Sequence, residues 1–299
     1  MAANDPLSCT CFLLQGGNMS LKQSIPLKSV ANARELGGYL TSDDRTVRNG
    51  VLLRTANLND ITAEDIQTLQ NQYRLSDLID FRMEMEMGDN ADPIIGGVTN
   101  THLNVIDVQA FGQYTMLEAD IKHFDIIQLL AFCEQIGMFN DKMYIGFLST
   151  ESGKKAYSRF FRILLAADPD RTVLWHCTSG KDRTGLAAML LLSLLGVEES
   201  VIMEDYMLTN AYNAPKIAET KQRLRAKGCD DALTQKAVLM FDAVDRCFMA
   251  NAIAFLREQY GSVVGYIHSE LNISEREITL LRQKYTQEKI CTGSSEIPK

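Results

Sequence analysis

Thr172-Val173-Leu174-Trp175-His176-Cys177-Thr178-Ser179-Gly180-Lys181-Asp182-Arg183-Thr184-Gly185 leads directly into the apolar run Leu186 to Leu195. Residues 172–177 read as a short buried strand, and the run after Gly185 continues as a helix. Between them, the six residues after Cys177 can curl with their backbone N–H groups turned inward. A ring of amides at a helix N-terminus suits a bound dianion. The same field favours the thiolate of Cys177, which then meets the anion as a nucleophile. Arg183 adds a planar fork that grips two phosphate oxygens and keeps its charge. Of the seven cysteines, only Cys177 has an arginine at this offset.

The remaining loop residues divide by role. Thr178, Ser179, Gly180 and Thr184 line the cradle, and the Thr184 hydroxyl can donate to the sulfur as it leaves. His176 hydrogen-bonds nearby backbone and fixes the loop, with proton transfer as the alternative. Lys181 is read as a second cation at the pocket lip, favouring substrates with extra phosphates, or as a solvent-facing lysine at a loop tip. A nucleotide-binding phosphate loop fits poorly. Trp175 stands at the first glycine position of that motif, and Asp182 stands where Ser or Thr would hold magnesium. The phosphate cradle requires no metal and no cofactor.

His176 to Gly185, written H-C-x-x-G-K-D-R-T-G, resembles the active-site signature of the cysteine-dependent protein tyrosine phosphatase superfamily. It is most similar to the mostly bacterial branch that acts on phosphotyrosine and, in several members, on phosphoinositides. Further matches in the same order are Asn32-Ala33-Arg34-Glu35-Leu36-Gly37-Gly38-Tyr39, Gly50 to Ala56, Leu78-Ile79-Asp80-Phe81-Arg82, and Asp205-Tyr206 with Asn210. The resemblance implies phosphomonoester hydrolysis in two steps through a phosphocysteine, on phosphorylated proteins or phosphoinositides. It also implies a carboxyl that protonates the leaving oxygen. Asp182 inside the signature is one candidate and Asp80 the other. Lys181 and Arg183 beside Asp182 leave a salt-bridged structural role open for it. The other function classes are a phospho-binding module without strong catalysis and a sulfurtransferase, which also places a cysteine in an amide-lined loop.

Compact apolar runs near 50–56, 75–81, 99–105 and 172–177 alternate with helical patterning. They predict an α/β fold with a mainly parallel central sheet flanked by helices on both faces. Helix starts are marked by Thr62-Ala63-Glu64-Asp65 and by the capping box Ser274-Glu275-Arg276-Glu277. Cys177 falls at a strand's C-terminal end, where open α/β sheets bind ligands. Arg54 and Arg82 end neighbouring strands, so either a place bordering the pocket or a structural ion pair is expected for each. Arg34 and Glu35 read as a fixed salt bridge, with phosphate contact as the alternative.

With 299 residues, 46% of them apolar, the chain can bury a large core. A net charge of −8 without a basic stripe speaks against a nucleic-acid partner. An odd cysteine count with no C-x-x-C pair suits a reducing compartment. The expected location is the cytoplasm, with export that needs no conventional signal left open. No stretch approaches the length of an integral membrane segment, and oligomeric state is undetermined. The expected organisation is a flexible leader over 1–24, a single phosphatase domain over 25–286, and a frayed tail over 287–299. Residues 108–150, rich in Phe, Tyr and Met, form either a helical core layer or a mobile helical lid over the pocket. Residues 198–260 form a second helical block, assigned to packing first and substrate rim second.

Overall fold

The computed structural model describes residues 23–88, 90–106, 124–135 and 139–289. Its centre is a five-stranded sheet in the order β1-β3-β6-β4-β5. The strands are β1 (Arg34–Glu35), β3 (Leu52–Thr55), β6 (Thr172–His176), β4 (Leu75–Asp80) and β5 (Thr99–His102). Four of them run parallel, and the two-residue β1 pairs antiparallel with β3 at one edge. The sheet is therefore mixed, with a parallel body. A second sheet of two strands joins β2 (Arg45–Val47) to β7 (Thr286–Glu288). Gln287 and Glu288, assigned by sequence to the start of the tail, are thus paired, whereas 290–299 lie outside the described residues.

Strand alternation divides the core in two. Leu53, Leu78 and Leu174 face α1 (Ala63–Asn71) and pack with Leu58 and Leu69. Leu52, Ile79, Val173 and Trp175 face the other way, into the larger core built on α5 (Glu151–Ala166) and α6 (Asp182–Leu195). A sheet covered on both sides needs apolar residues at successive positions, which is why β3, β4 and β6 read as continuous runs. The outer strand β5 is polar and largely exposed, as an edge strand is. The expected helix starts are present: Thr62 caps α1 through the Asp65 N–H, and Ser274 and Glu277 form the capping box of α12 (Glu275–Tyr285).

The other helices are α2 (Glu84–Met87), α3 (Ile126–Gln135), α4 (Met143–Ser149), α7 (Glu199–Tyr212), α8 (Ala214–Ala226), α9 (Asp231–Phe241), α10 (Arg246–Tyr260) and α11 (Val263–Ser269). Helix α6 is apolar nearly all round, and α4, α7, α11 and α12 pack about it. In the 108–150 region, Leu130, Cys133, Phe139, Tyr144, Phe147 and Leu148 are buried in the main core. The stretches 107–123 and 136–138 of the expected lid lie outside the described residues. Among those described, no helix is long and apolar enough to cross a membrane.

Phe160 sits at the junction of α5 with the sheet, its ring 5.3 Å from that of Trp175 and 5.8 Å from that of Phe81. Phe160→Ala is expected to cost about 3–5 kcal/mol. Urea unfolding should show this as a lower midpoint at an unchanged slope.

Candidate active site

Thr55, His176 and Asp80 stand side by side at the C-terminal ends of three parallel strands. Cys177 leaves the middle one and is almost fully buried. The loop that follows turns its carbonyl oxygens toward the body of the protein, where they find donors. His176 Nδ1 lies 3.2 Å from the Cys177 oxygen. The Asn57 side chain donates to Thr178 at 2.9 Å, and Asn32 donates to Ser179 and Gly180 at 3.1 and 2.9 Å. Tyr157 donates to the Arg183 oxygen, and the Trp175 indole to that of Thr184, both at 3.2 Å. Gly180 has φ +64°, and a Cβ there would lie 2.3 Å from the Thr55 oxygen. Only glycine lets the loop lie this close to β3.

A buried ion cluster supports the loop from below. Asp205 on α7 accepts from Arg34 Nε at 3.0 Å and from Arg54 Nη1 at 2.8 Å. Arg54 Nη2 then donates to the Gly180 oxygen at 2.9 Å. Burial and the neighbouring Arg34 lower the Arg54 guanidinium to about 10, against the pull of Asp205, so it remains charged at neutral pH. The expected salt bridge of Arg34 is present with Asp205, whereas Glu35 accepts from the Gly50 N–H. Arg54 therefore carries the loop from beneath and is fully buried.

Arg183 is held by a residue from another element. Its two terminal nitrogens reach Glu86 of α2 at 2.5 and 2.7 Å, and Glu86 also accepts from the Thr178 hydroxyl at 2.6 Å. Burial works to raise the Glu86 carboxyl, but Arg183, Thr178 and the Met83 N–H prevail and hold it at about 2. Arg183 Nε and Thr184 Oγ1 have no hydrogen-bond partner within the protein.

The second arginine at the sheet edge goes elsewhere. Arg82 spans Asp80 at 2.8 Å and Asp92 at 3.0 Å, and also donates to Asn59. Its guanidinium is committed to this network and does not line the cradle. Burial acts to raise the Asp80 carboxyl, yet Arg82 and His176 hold it below the usual carboxylate range. A carboxylate so engaged is poorly suited to donate a proton. His176 Nε2 lies 2.7 Å from Asp92, a side-chain partner beyond the backbone contact expected for it. Asp80, Asp92 and His176 place three potential ligand atoms within 4.8 Å of one another, the one such group among the described residues. Arg82 already lies across both carboxylates, so this donor set fits an ion-pair network better than a metal.

Lys181 is neither at the lip nor in solvent. Its ammonium donates to the carbonyls of Leu239 and Ala243 at 3.0 and 3.2 Å and lies 3.2 Å from Asp182. The last turn of α9 needs donors for its carbonyls, and Lys181 answers that of Leu239 together with that of Ala243 just past the helix end. Asp182, the first residue of α6, accepts from the Tyr144 hydroxyl at 2.6 Å. It is partly exposed, unlike Asp80. Ser179 donates to the Phe241 oxygen, again toward the end of α9.

The model of the tyrosine phosphatase family matches residues 25–287. The chain belongs to the tyrosine phosphatase family. It is 27% identical over 272 residues to a Cupriavidus necator protein whose name places it among the tyrosine-protein phosphatases, covering 88% of this chain and 89% of that one. It is 33% identical over 129 residues to a tyrosine-protein phosphatase of Nostoc commune, covering 41% and 42% of the two chains. Likeness to the triple specificity protein phosphatase PtpB of Mycobacterium tuberculosis is 29% over 147 residues, 46% and 51% of the two.

In this tyrosine phosphatase-family domain, Glu86, Asp92, Tyr144 and Tyr157 were not found by sequence reasoning. For Glu86 a signal existed: the acidic stretch Glu84 to Glu86 follows Asp80-Phe81-Arg82 at the sheet edge that carries Cys177. A carboxyl lowered by folding stabilises the protein above its unfolded value, and that contribution is lost as pH falls through the folded value. Stability should therefore decline between about 4.5 and about 2. Urea midpoints measured across this range should fall less steeply in Glu86→Gln than in wild type.

Proposed function

We propose that the protein hydrolyses phosphomonoesters through a phosphocysteine intermediate, as a member of the branch marked by H-C-x-x-G-K-D-R-T-G, and acts first on phosphotyrosine proteins. The observation that carries this is the loop itself. Its outward carbonyls are bonded, which leaves its amides to turn inward, and it holds Cys177 and Arg183 together. Arg183 Nε and Thr184 Oγ1 are buried donors that a phosphoryl group would satisfy. Thr178, Ser179, Gly180 and Thr184 line the seat.

Cys177 Sγ attacks phosphorus, the bond from phosphorus to the leaving oxygen breaks, and Asp182 gives that oxygen its proton. Water then attacks the phosphocysteine, the S–P bond breaks, and the Asp182 carboxylate takes the water's proton. Charge on the equatorial oxygens is met by amides and by Arg183, whose plane Glu86 already fixes, so little reorganisation is needed. Asp182 is preferred to Asp80 because Asp80 is committed to Arg82 and His176.

A recessed nucleophile favours phosphotyrosine over phosphoserine, since the aromatic ring holds its phosphate further from the peptide backbone. Phosphoinositides are the second substrate class. The cation expected to favour them, Lys181, is committed to main-chain carbonyls. Lys216 lines a small cleft beside Thr178 and Ser179, where its ammonium lies 3.4 Å from Asp242.

Cys177→Ser should lose hydrolysis of an aryl phosphate while still binding phosphate, and acid quenching of the wild type should trap phosphate on Cys177. Unchanged turnover in Cys177→Ser would sink the covalent mechanism, and absence of turnover in wild type would favour a phospho-binding module. Rates on phosphotyrosine peptides should exceed those on a phosphoinositide panel. Lys181→Ala should leave that ratio as it was, because the ammonium does not reach the seat.

A further inference from the structure

Lys216 stands on the first turn of α8 and lines a cleft that shares Thr178 and Ser179 with the signature loop. Its ammonium lies 3.4 Å from Asp242, the residue that ends α9. Lys216 is about half exposed, whereas Asp242 is buried, and neither oxygen of its carboxyl has a hydrogen-bond partner among the described residues. A buried carboxylate at a helix C-terminus is doubly unfavourable, since burial and the helix dipole both oppose its charge. Such a group calls for an explanation. Anchoring of the chain supplies none, because the main chain is tied there without it: Asn213 donates to the Asp242 carbonyl at 2.8 Å, and Ser179 to that of Phe241 at 3.1 Å.

The charges around the cleft supply one. Asp60 is exposed at the cleft and makes no ion pair among the described residues. Lys216 and Asp242 cancel each other, which leaves Asp60 as the uncompensated charge. The helix ends do not alter that sign, for the positive start of α8 and the negative end of α9 meet where Asn213 bonds Asp242. Asp65 lies behind Ser29 of the cleft wall, accepts its N–H and its hydroxyl, and carries the same sign as Asp60. The neighbouring cations are engaged elsewhere: Lys28 with Glu64, Arg54 with Asp205, and Lys181 with Asp182.

The cleft holds about 140 Å³, close to a protein cavity that admits one benzene molecule. That is room for a single side chain and not for a length of peptide. Its wall continues into the phosphate seat through Thr178 and Ser179, so the side chain it suits belongs to the same substrate as the phosphate.

We propose that this cleft reads a residue next to the phosphotyrosine and selects lysine or arginine there. Asp60 is the specificity-determining contact, and Asp242 masks Lys216, which would otherwise oppose a cation. This rests on phosphotyrosine proteins as the substrate class proposed above. Burying Asp242 is unfavourable for stability and is offset by the discrimination it gives between basic and acidic neighbours.

The test is kcat/KM on phosphotyrosine peptides with a single Arg or Glu at each of the two positions before and after the phosphotyrosine, with an aryl phosphate as reference. Wild type should favour the Arg peptide over its Glu counterpart by about fivefold at one of these positions, the scale of one exposed ion pair. Added salt should shrink that preference. Asp60→Asn should abolish it. Combining Asp60→Asn with Asp242→Asn should invert it in favour of Glu, since Lys216 is then unmasked, and adding Lys216→Gln should abolish it again. The aryl phosphate has no flanking residue and should be hydrolysed alike by every variant. No preference in wild type at any position overturns the proposal, as does a double variant that behaves like Asp60→Asn alone. Changes that appear equally on the aryl phosphate overturn it too, because the charges would then act on the seat. Asp60 is exposed, so its replacement tests the contact even if the Asp242 variant fails to fold. The substrate reading fails separately. If wild type hydrolyses the aryl phosphate and none of the peptides, both fall; if all peptides turn over at equal rates, this proposal falls alone.

Discussion

A loop that presents its amides to an anion must face its carbonyls the other way, and in this protein the other way is the interior. Each inward amide therefore creates a buried acceptor that has to be answered, because an unpaired buried carbonyl costs about 1–3 kcal/mol. The answers come from Asn57, Asn32, Arg54, Tyr157 and the Trp175 indole, each from a different part of the chain. What looks like a set of separate polar contacts is one requirement met several times. Meeting it turns a flexible loop into a fixed one.

Two arginines converging on one buried carboxylate is an expensive way to build a support. Replacing such a cluster with apolar side chains of similar volume is often neutral or stabilising in other proteins. Arg34 and Arg54 are best understood as geometry: Arg54 has to stay extended to reach the Gly180 oxygen, and Asp205 keeps it so. Asn32, at a left-handed φ of 53°, adds the second donor to the same oxygen and also accepts from Arg34. The cluster thus couples β1, β3 and α7 to one carbonyl of the loop.

Residues 172–195 were legible because their signal is contiguous: strand, cysteine, glycine, arginine and apolar helix follow one another within a short stretch. The parallel strands were legible for a related reason, since burial on both faces leaves unbroken apolar runs. The two residues of β1 carry no periodicity, and its antiparallel pairing is set by the Asn32 turn and by Arg34 reaching Asp205. Lys181 shows a different limit. Its charge was plain in the sequence, but its direction was decided by one carbonyl in the last turn of α9 and one just past its end, 58 and 62 residues away. Glu86 and Tyr144 stand 97 and 38 residues from the loop residues they bind, and no spacing rule connects them. Asp182, and Asp80 as the alternative, were both open as proton donor in the sequence, and none of their partners could be read there: Tyr144 and Lys181 for the first, Arg82 and His176 for the second.

The short clasp between β2 and β7 places side chains 241 residues apart within hydrogen-bond reach, as Arg45 and Thr286 show. The supports of the loop follow the same habit, with Asn32 and Ser179 separated by 147 residues and Arg34 and Asp205 by 171. Contacts of such long sequence separation pay their loop-closure entropy before they return any stability, so they form late and slowly. During synthesis the signature loop emerges well before β7 does. Its supports on β1 and β3 have been made by then, but Asp205 has not, and a nascent chain holding Cys177 has no assembled seat around it. The surroundings of Cys177 are thus complete only once nearly the whole domain has folded.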